Sequence, residues 1–403
     1  MIKPMISSMV LAGLLLGNVS ACQTANVTTI DDLSTPEGHS PADLRTLSAP
    51  TTAELSQLRE SELPAANRMF SFSLFQELLQ AAPNENLFVS PLSVSMALSM
   101  LYNGASGETQ QEMARALAYQ NLSLEAINQG QLTLRKRLQN TGEGAEVRVA
   151  NALWGKEGLN FQSEFLAKNE RFYDGRLEAL PFGSQSAVDR INQWASDNTK
   201  GLIPKVVETI DPQTILLLMN AIYFKGSWST PFEAAQTQDL PFYKADDKTD
   251  KSTSSQPMMS RYGKWRYGEV DGTQIVSLPY GKSERTEMLV FLPQKGQGLE
   301  QWTASLNAER WTQFQNALRS RDGRVTLPKF KIKNTLALNE TLKRLGMVKA
   351  FSESEANLDA LLQSNDLKPF VSDVKQDAFV EVNEEGTEAA AVTTVTVGAT
   401  SVA

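Results

Sequence analysis

The final stretch of the chain constrains the fold most. From Glu381 to Ala403 there is no proline, so every backbone N–H in the segment is free to join a hydrogen-bonded ladder. Side chains of an extended strand alternate between two faces, and after Gly386 one set reads Thr387, Ala389, Ala391, Thr393, Val395 and Val397. Every member is small or β-branched, so this face can enter the interior of a sheet without carrying a bulky or charged group with it. The other set is Glu388, Ala390, Val392, Thr394 and Thr396. Taken alone, the pattern fits either a strand destined for a sheet or a loosely structured Ala/Thr/Val tail.

A body able to take in such a strand must be large. The chain has 403 residues, 41% of them hydrophobic, enough for one large or two ordinary domains. Its 38 Lys and Arg against 46 Asp and Glu give a net charge of −8, which repels a phosphate backbone, so no nucleic-acid partner is expected. The single cysteine, Cys22, and single histidine, His39, exclude a disulfide framework, a Cys/His zinc site and paired-thiol redox chemistry. No metal and no cofactor are expected. His39 lies in a polar segment, so a Ser-His-Asp or Cys-His arrangement would have to borrow its base from a linker, and there is no HExxH sequence. The adjacent acids Asp246-Asp247 and Glu384-Glu385 diverge on any strand or helix, and both pairs are expected to be solvated. No catalytic residue is assigned, and the chain is not expected to be an enzyme.

The N-terminus reads as an address. Met1-Ile2-Lys3 precedes an apolar run through Val10–Leu16, then Val19-Ser20-Ala21 directly before Cys22, the layout of a signal peptide over residues 1–21. The run is too short for a comfortable membrane span. Val19-Ser20-Ala21-Cys22 also resembles the lipobox of bacterial lipoproteins, with Cys22 as the acylated residue; the alternative is an ordinary secretory signal. Either way the protein is expected to be exported, lipid-anchored at the cell envelope or else periplasmic or extracellular, touching a membrane only through the lipid. Residues 22–62, with Pro36, Pro41 and Pro50 among Thr, Ser, Ala, Asp and Glu, read as a flexible tether.

The folded body is expected over residues 63–403. Met69, Phe72, Phe75, Leu78 and Leu79 fall at spacings of three and four, predicting a helix from Ala65 to Ala81 that stops near Pro83-Asn84. The run Asn86–Ser93 reads as a short apolar strand leading into a central helix from about Leu92 to Tyr102, apolar nearly all round, and another follows from Glu108 to Leu117. Strands are predicted at Glu146–Trp154, Thr214–Phe224, Gln274–Leu278, Glu287–Leu292, Arg324–Ile332 and Ala378–Val382. Helices mostly first and strands mostly later favour an α+β fold. Arg135-Lys136-Arg137 reads as a solvated basic face.

From Ala65 onward the chain resembles a serpin, of a bacterial-type exported or lipoprotein kind. The resemblance rests on Asn86-Leu87-Phe88-Val89-Ser90-Pro91-Leu92-Ser93 with Asn103-Gly104-Ala105, and on Asn220-Ala221-Ile222-Tyr223-Phe224-Lys225-Gly226-Ser227-Trp228. Leu278-Pro279-Tyr280, Leu327-Pro328-Lys329-Phe330 and Leu345-Gly346-Met347 follow in order, and Glu381–Ala391 resembles the hinge of the family's reactive loop. The resemblance implies helices packed on a large, mostly antiparallel sheet with smaller sheets, and a reactive loop over 384–403 that is exposed or inserted. It also implies a suicide substrate: the protease cleaves the loop, and the loop inserts into the main sheet while still joined to the protease as an acyl-enzyme.

Carried over residue by residue, the hinge comprises Glu384, Glu385, Gly386, Thr387, Ala389, Ala390 and Ala391. The scissile bond falls near Thr400-Ser401, with Ala399 and Val402 as the next candidates. Ser90, Ser93, Asn220, Gln376 and Trp228 match the family's sheet-opening residues, Gln376 standing where a histidine is usual. The small, uncharged residues at the scissile bond suit an elastase-like or subtilisin-like serine protease, or a cysteine protease, met by a monomeric inhibitor. A non-inhibitory serpin acting as a binding or carrier module is the alternative. The family continues past the loop with further core strands that a chain ending at Ala403 lacks. Such a chain is expected to be the large fragment left by loop cleavage or a shortened form, and to fold poorly if it truly lacks them.

Overall fold

In the computed structural model of the protein, residues 47–82, 85–243, 253–294, 296–364 and 366–401 are described. The signal segment, Cys22, His39, Pro83-Asn84, Asp246-Asp247 and Val402 lie outside the described residues.

The chain begins with helices: α1 (Thr52–Glu60), α2 (Leu63–Ala81), α3 (Pro91–Tyr102), α4 (Gly107–Ala116) and α5 (Leu124–Gln139). It continues through β1 (Ala145–Lys156), α6 (Ser163–Tyr173), β2 (Arg176–Leu180), α7 (Gln185–Asn198) and β3 (Thr214–Ser227). Then come β4 (Gln238–Tyr243), β5 (Thr253–Val270), β6 (Thr273–Tyr280), β7 (Thr286–Leu292), α8 (Leu299–Ala304) and α9 (Ala308–Ala317). The last elements are β8 (Arg319–Pro328), β9 (Phe330–Ala337), α10 (Asn339–Arg344), β10 (Leu367–Val382) and β11 (Gly386–Ser401). This is the expected α+β class. A six-stranded sheet has the order β2-β1-β3-β11-β10-β9, and a second sheet has the order β4-β5-β6-β7 with β8 also paired to β5.

Two hydrophobic cores lie on opposite faces of the large sheet. One packs α2, α3 and their neighbours against residues such as Leu216, Leu218, Ala389, Val395 and Val397. The other places Trp154, Trp194, Ile191 and Tyr223 beside Ala390 and Val392. Helix α3 is the centre of the first. Pro91 opens it with a preset φ, the Ser90 hydroxyl caps it by accepting from the Ser93 N–H, and every residue from Ser93 to Tyr102 is buried.

The structure corrects several expectations. The tether does not extend to residue 62, because Thr52–Glu60 is a docked helix. Thr51 and Glu54 close a reciprocal capping box, Glu54 pairs with Lys136 on α5 at 2.6 Å, and Leu58 is buried. Upstream, the Leu47 carbonyl accepts from Asn140 Nδ2 at 3.3 Å. The basic triplet is therefore not a solvated face: Lys136 is taken by Glu54, and Arg135 is 1% exposed, its Nη1 donating to the Phe172 carbonyl at 3.0 Å. Burial pulls the Arg135 guanidinium down to about 10.

The run Asn86–Ser93 forms no strand: from Pro91 it is already helix α3, and Asn86–Ser90 is irregular. Its backbone is held instead by side chains, Phe88 N–H donating to Asn334 Oδ1 and Ser90 N–H to Gln376 Oε1. The expected strand Arg324–Ile332 is two strands in two sheets, β8 on β5 and β9 on β10, divided at Lys329. Finally, β10 is far longer than Ala378–Val382, because Pro369 and a bulge between Val371 and Asp373 hide its first half.

Leu58→Ala distinguishes a docked helix from a tether. It should lower stability by about 2–4 kcal/mol in denaturant unfolding with an unchanged m-value. A change near zero would mean that α1 contributes nothing to the folded body.

Candidate functional site

Strand β11 lies between β3 and β10, antiparallel to both, in the middle of the large sheet. Thr387 sits opposite Val382 on one side and Gly226 on the other, and Val395 sits opposite Val374 and Leu218. The segment expected as a reactive loop is therefore inserted. Its alternation explains why it fits: Ala389, Val395 and Val397 face the α2/α3 core, while Ala390 and Val392 face the α7 core. Both faces are buried, so neither set can be large.

The segment expected as the hinge is a tight turn from β10 into β11. Asn383 Oδ1 accepts from the N–H groups of Glu385 and Gly386, and the Asn383 N–H donates to the Gly386 carbonyl. Trp228 closes this end. Its backbone N–H donates to the Glu385 carbonyl, its indole N–H to the Asn383 carbonyl, and its ring stacks on Tyr280 at 4.5 Å. A Cβ on Gly386 would stand 2.0 Å from the Gly226 carbonyl oxygen, so only glycine lets the two backbones approach this closely. Thr387 follows, 5% exposed, its hydroxyl 2.6 Å from the Tyr280 hydroxyl.

Glu384 and Glu385 differ, which corrects the expectation that both are solvated. Glu385 is exposed, but the Glu384 side chain is 13% exposed, paired with Lys329 at 2.8 Å and accepting from the Thr237 hydroxyl at 2.7 Å. Burial works against its charge, but the Lys329 ammonium and the Thr237 hydroxyl outweigh burial and hold the carboxyl below the usual carboxylate range. The charged Glu388 stays at the sheet surface, accepting from the Tyr223 hydroxyl at 2.6 Å.

Midway along the strand, Gln376 is fully buried and spans three groups. Its Oε1 accepts from the Ser90 N–H at 2.8 Å, and its Nε2 donates to the Ser90 carbonyl at 3.0 Å and to the Thr393 hydroxyl at 2.8 Å. The Ser93 hydroxyl lies 2.9 Å from the same Thr393 oxygen and 3.5 Å from the Asn220 carbonyl. The Asn220 side chain turns away, donating to Asn151 Oδ1 at 2.8 Å. The structure thus gathers Ser90, Ser93 and Gln376 closely and Asn220 through its carbonyl, whereas Trp228 belongs to the hinge. Sequence reasoning missed Thr393, Tyr280 and Lys329 as parts of the site.

At the far end, Ala399, Thr400 and Ser401 pair with Pro369, Lys368 and Leu367, and the Ala399 N–H reaches the Gln213 carbonyl at 3.2 Å. Among the described residues no group of three or more His, Cys, Asp or Glu is placed to hold a metal, and no helix is long and apolar enough to cross a membrane.

Glu384 generates a pH-dependent prediction. Its folded pKa is below the unfolded 4.5, so its stabilisation is present above pH 4.5 and is lost as the pH falls through the lowered value. Glu384→Gln should melt below the parent protein near neutral pH, and the gap should close in acid. A gap that stays constant with pH would exclude the ion pair as its source.

A family model described as "Serpin (serine protease inhibitor)" matches residues 65–402. Leukocyte elastase inhibitor A of Mus musculus is 36% identical over 347 residues, covering 82% of this chain and 88% of the relative. The structure of ovalbumin from emu (Dromaius novaehollandiae) superposes with a TM-score of 0.79 at 30% identity, covering 85% of this chain and 92% of that one. The reactive-loop-cleaved human thyroxine-binding globulin superposes with a TM-score of 0.77 at 28% identity, covering 84% and 99%. With the inserted strand, the glycine hinge and these likenesses together, the chain belongs to the serpin family of serine protease inhibitors.

Proposed function

We propose that the protein is a suicide-substrate inhibitor of serine endopeptidases with elastase-like or subtilisin-like specificity. The observation that carries this reading is the seating of Gly386–Ser401 as a full strand between β3 and β10, every side chain buried on either core being small or β-branched. The protease's own serine attacks a loop carbonyl carbon near Thr400-Ser401, the peptide bond breaks with release of the new amine, and the carbonyl carbon remains esterified to the enzyme. Insertion from Gly386 to Thr400 then carries the ester about 45–50 Å from the hinge. The strand gains backbone hydrogen bonds on both sides, which an exposed loop lacks.

Within this reading Gly386 is the pivot, Thr387 the first side chain to enter, and Ala389, Ala390 and Ala391 a run that meets no steric resistance. Ala399, Thr400, Ser401 and Val402 are small and uncharged, which suits a shallow apolar specificity pocket; the similarity to a leukocyte elastase inhibitor points the same way. The test is a denaturing gel of the complete gene product mixed with an elastase or a subtilisin. A band at the summed mass is expected, and Thr387→Arg should abolish it and leave cleaved inhibitor, because a guanidinium cannot enter beside Tyr280. Clean cleavage of the parent with no such band would favour a non-inhibitory binding or carrier serpin.

We also propose that the protein is exported and acylated at Cys22, supported by the order Lys3, Val10–Leu16 and Val19-Ser20-Ala21-Cys22. In a bacterial host, radiolabelled fatty acid should enter the parent and not Cys22→Ser. Equal labelling of the two would overturn acylation at this residue.

A further inference from the structure

We propose that Thr393 is a positioning residue that fixes the register in which the strand enters the sheet, and this rests on the inhibitor reading above. The apolar pattern cannot fix that register unaided. Slipping β11 by one residue would turn Glu388 into the α2/α3 core, but slipping it by two keeps every side chain on its own face. The set facing that core is Thr387, Ala389, Ala391, Thr393, Val395 and Val397, and an exchange of Ala for Val two places along is sterically mild.

Gly386 pins the start of the strand, because a two-residue slip would set Glu384 or Glu388 against the Gly226 carbonyl, and hydroxyls pin it further in. The α2/α3-facing set carries them at two positions only, Thr387 and Thr393, and each meets a buried polar partner: the Tyr280 hydroxyl at 2.6 Å, and Gln376 Nε2 with Ser93 Oγ at 2.8 and 2.9 Å. A two-residue slip puts Ala391 or Val395 beside Gln376, leaving one amide hydrogen of a fully buried carboxamide without an acceptor. The same slip takes Thr387 away from Tyr280. Thr393 is the more telling of the pair, because it lies near the middle of β11, flanked by buried amides on both neighbours, Gln376 of β10 and Asn220 of β3. A strand halted two residues out of register stops about 7 Å short of full insertion.

The experiment compares the complete gene product with Thr393→Val, which keeps the shape and removes the hydroxyl, and Thr393→Ser, which keeps the hydroxyl and removes a methyl. Each is cleaved with elastase, and amide hydrogen exchange of residues 386–401 is followed in the cleaved protein. The Val variant should exchange about fivefold or more faster across this strand, and the Ser variant should match the parent. In the same digests, the ratio of cleaved to covalently trapped inhibitor should rise for Val and be restored for Ser. Equal exchange in all three proteins, or faster exchange in both variants, overturns the proposal. Absence of a covalent band from the parent overturns the inhibitor reading instead, and the exchange rates still decide the register.

Discussion

Everything in the large sheet depends on the filling of one gap. Strand β11 pairs with β3 on one side and β10 on the other, so neither presents unpaired backbone groups between the two hydrophobic cores. With it, six strands run unbroken from β2 to β9. The two cores set what can fill the gap: α3 presses on one face of the strand and the Trp154/Trp194 cluster on the other. A segment of large side chains would collide with both, and a segment of glycine would leave voids against both.

Polar groups then specify what apolar packing leaves open. A buried amide beside a buried hydroxyl adds little net stability but penalises every arrangement that separates them. Gln376 stands in this relation to Thr393 at mid-sheet, and Tyr280 to Thr387 beside the turn. At the turn itself, Asn383 Oδ1 and the Trp228 indole hold the backbone, Gly386 leaves no room for a Cβ beside Gly226, and Glu384 is anchored by Lys329.

Much of this was legible in the sequence and some was not, for identifiable reasons. The alternation after Gly386 is a local, period-two signal that separated the two faces, while the choice of a strand over a loose tail came from the family resemblance. The Leu92–Tyr102 helix was legible because a helix apolar all round has nowhere to sit but the interior. By contrast, α1 lies in a stretch whose Pro, Thr and Ser content reads as tether, although Thr51-Thr52-Ala53-Glu54 carries a capping-box pattern that could have revealed it. Lys329 and Thr237 are remote in sequence from Glu384, so an acid that looks solvated beside Glu385 becomes half of a shielded ion pair only when the chain is folded. The split of Arg324–Ile332 between two sheets was equally invisible, because the division rests on which partner each half finds.

That split has a mechanical consequence. Lys329 alone separates β8 of the smaller sheet from β9 at the rim of the larger one, and its ammonium grips Glu384 at the turn where β11 begins. β9 is tied to β8 by that one residue, so the two sheets are joined at the turn where β11 begins both through the backbone and through the Lys329–Glu384 ion pair.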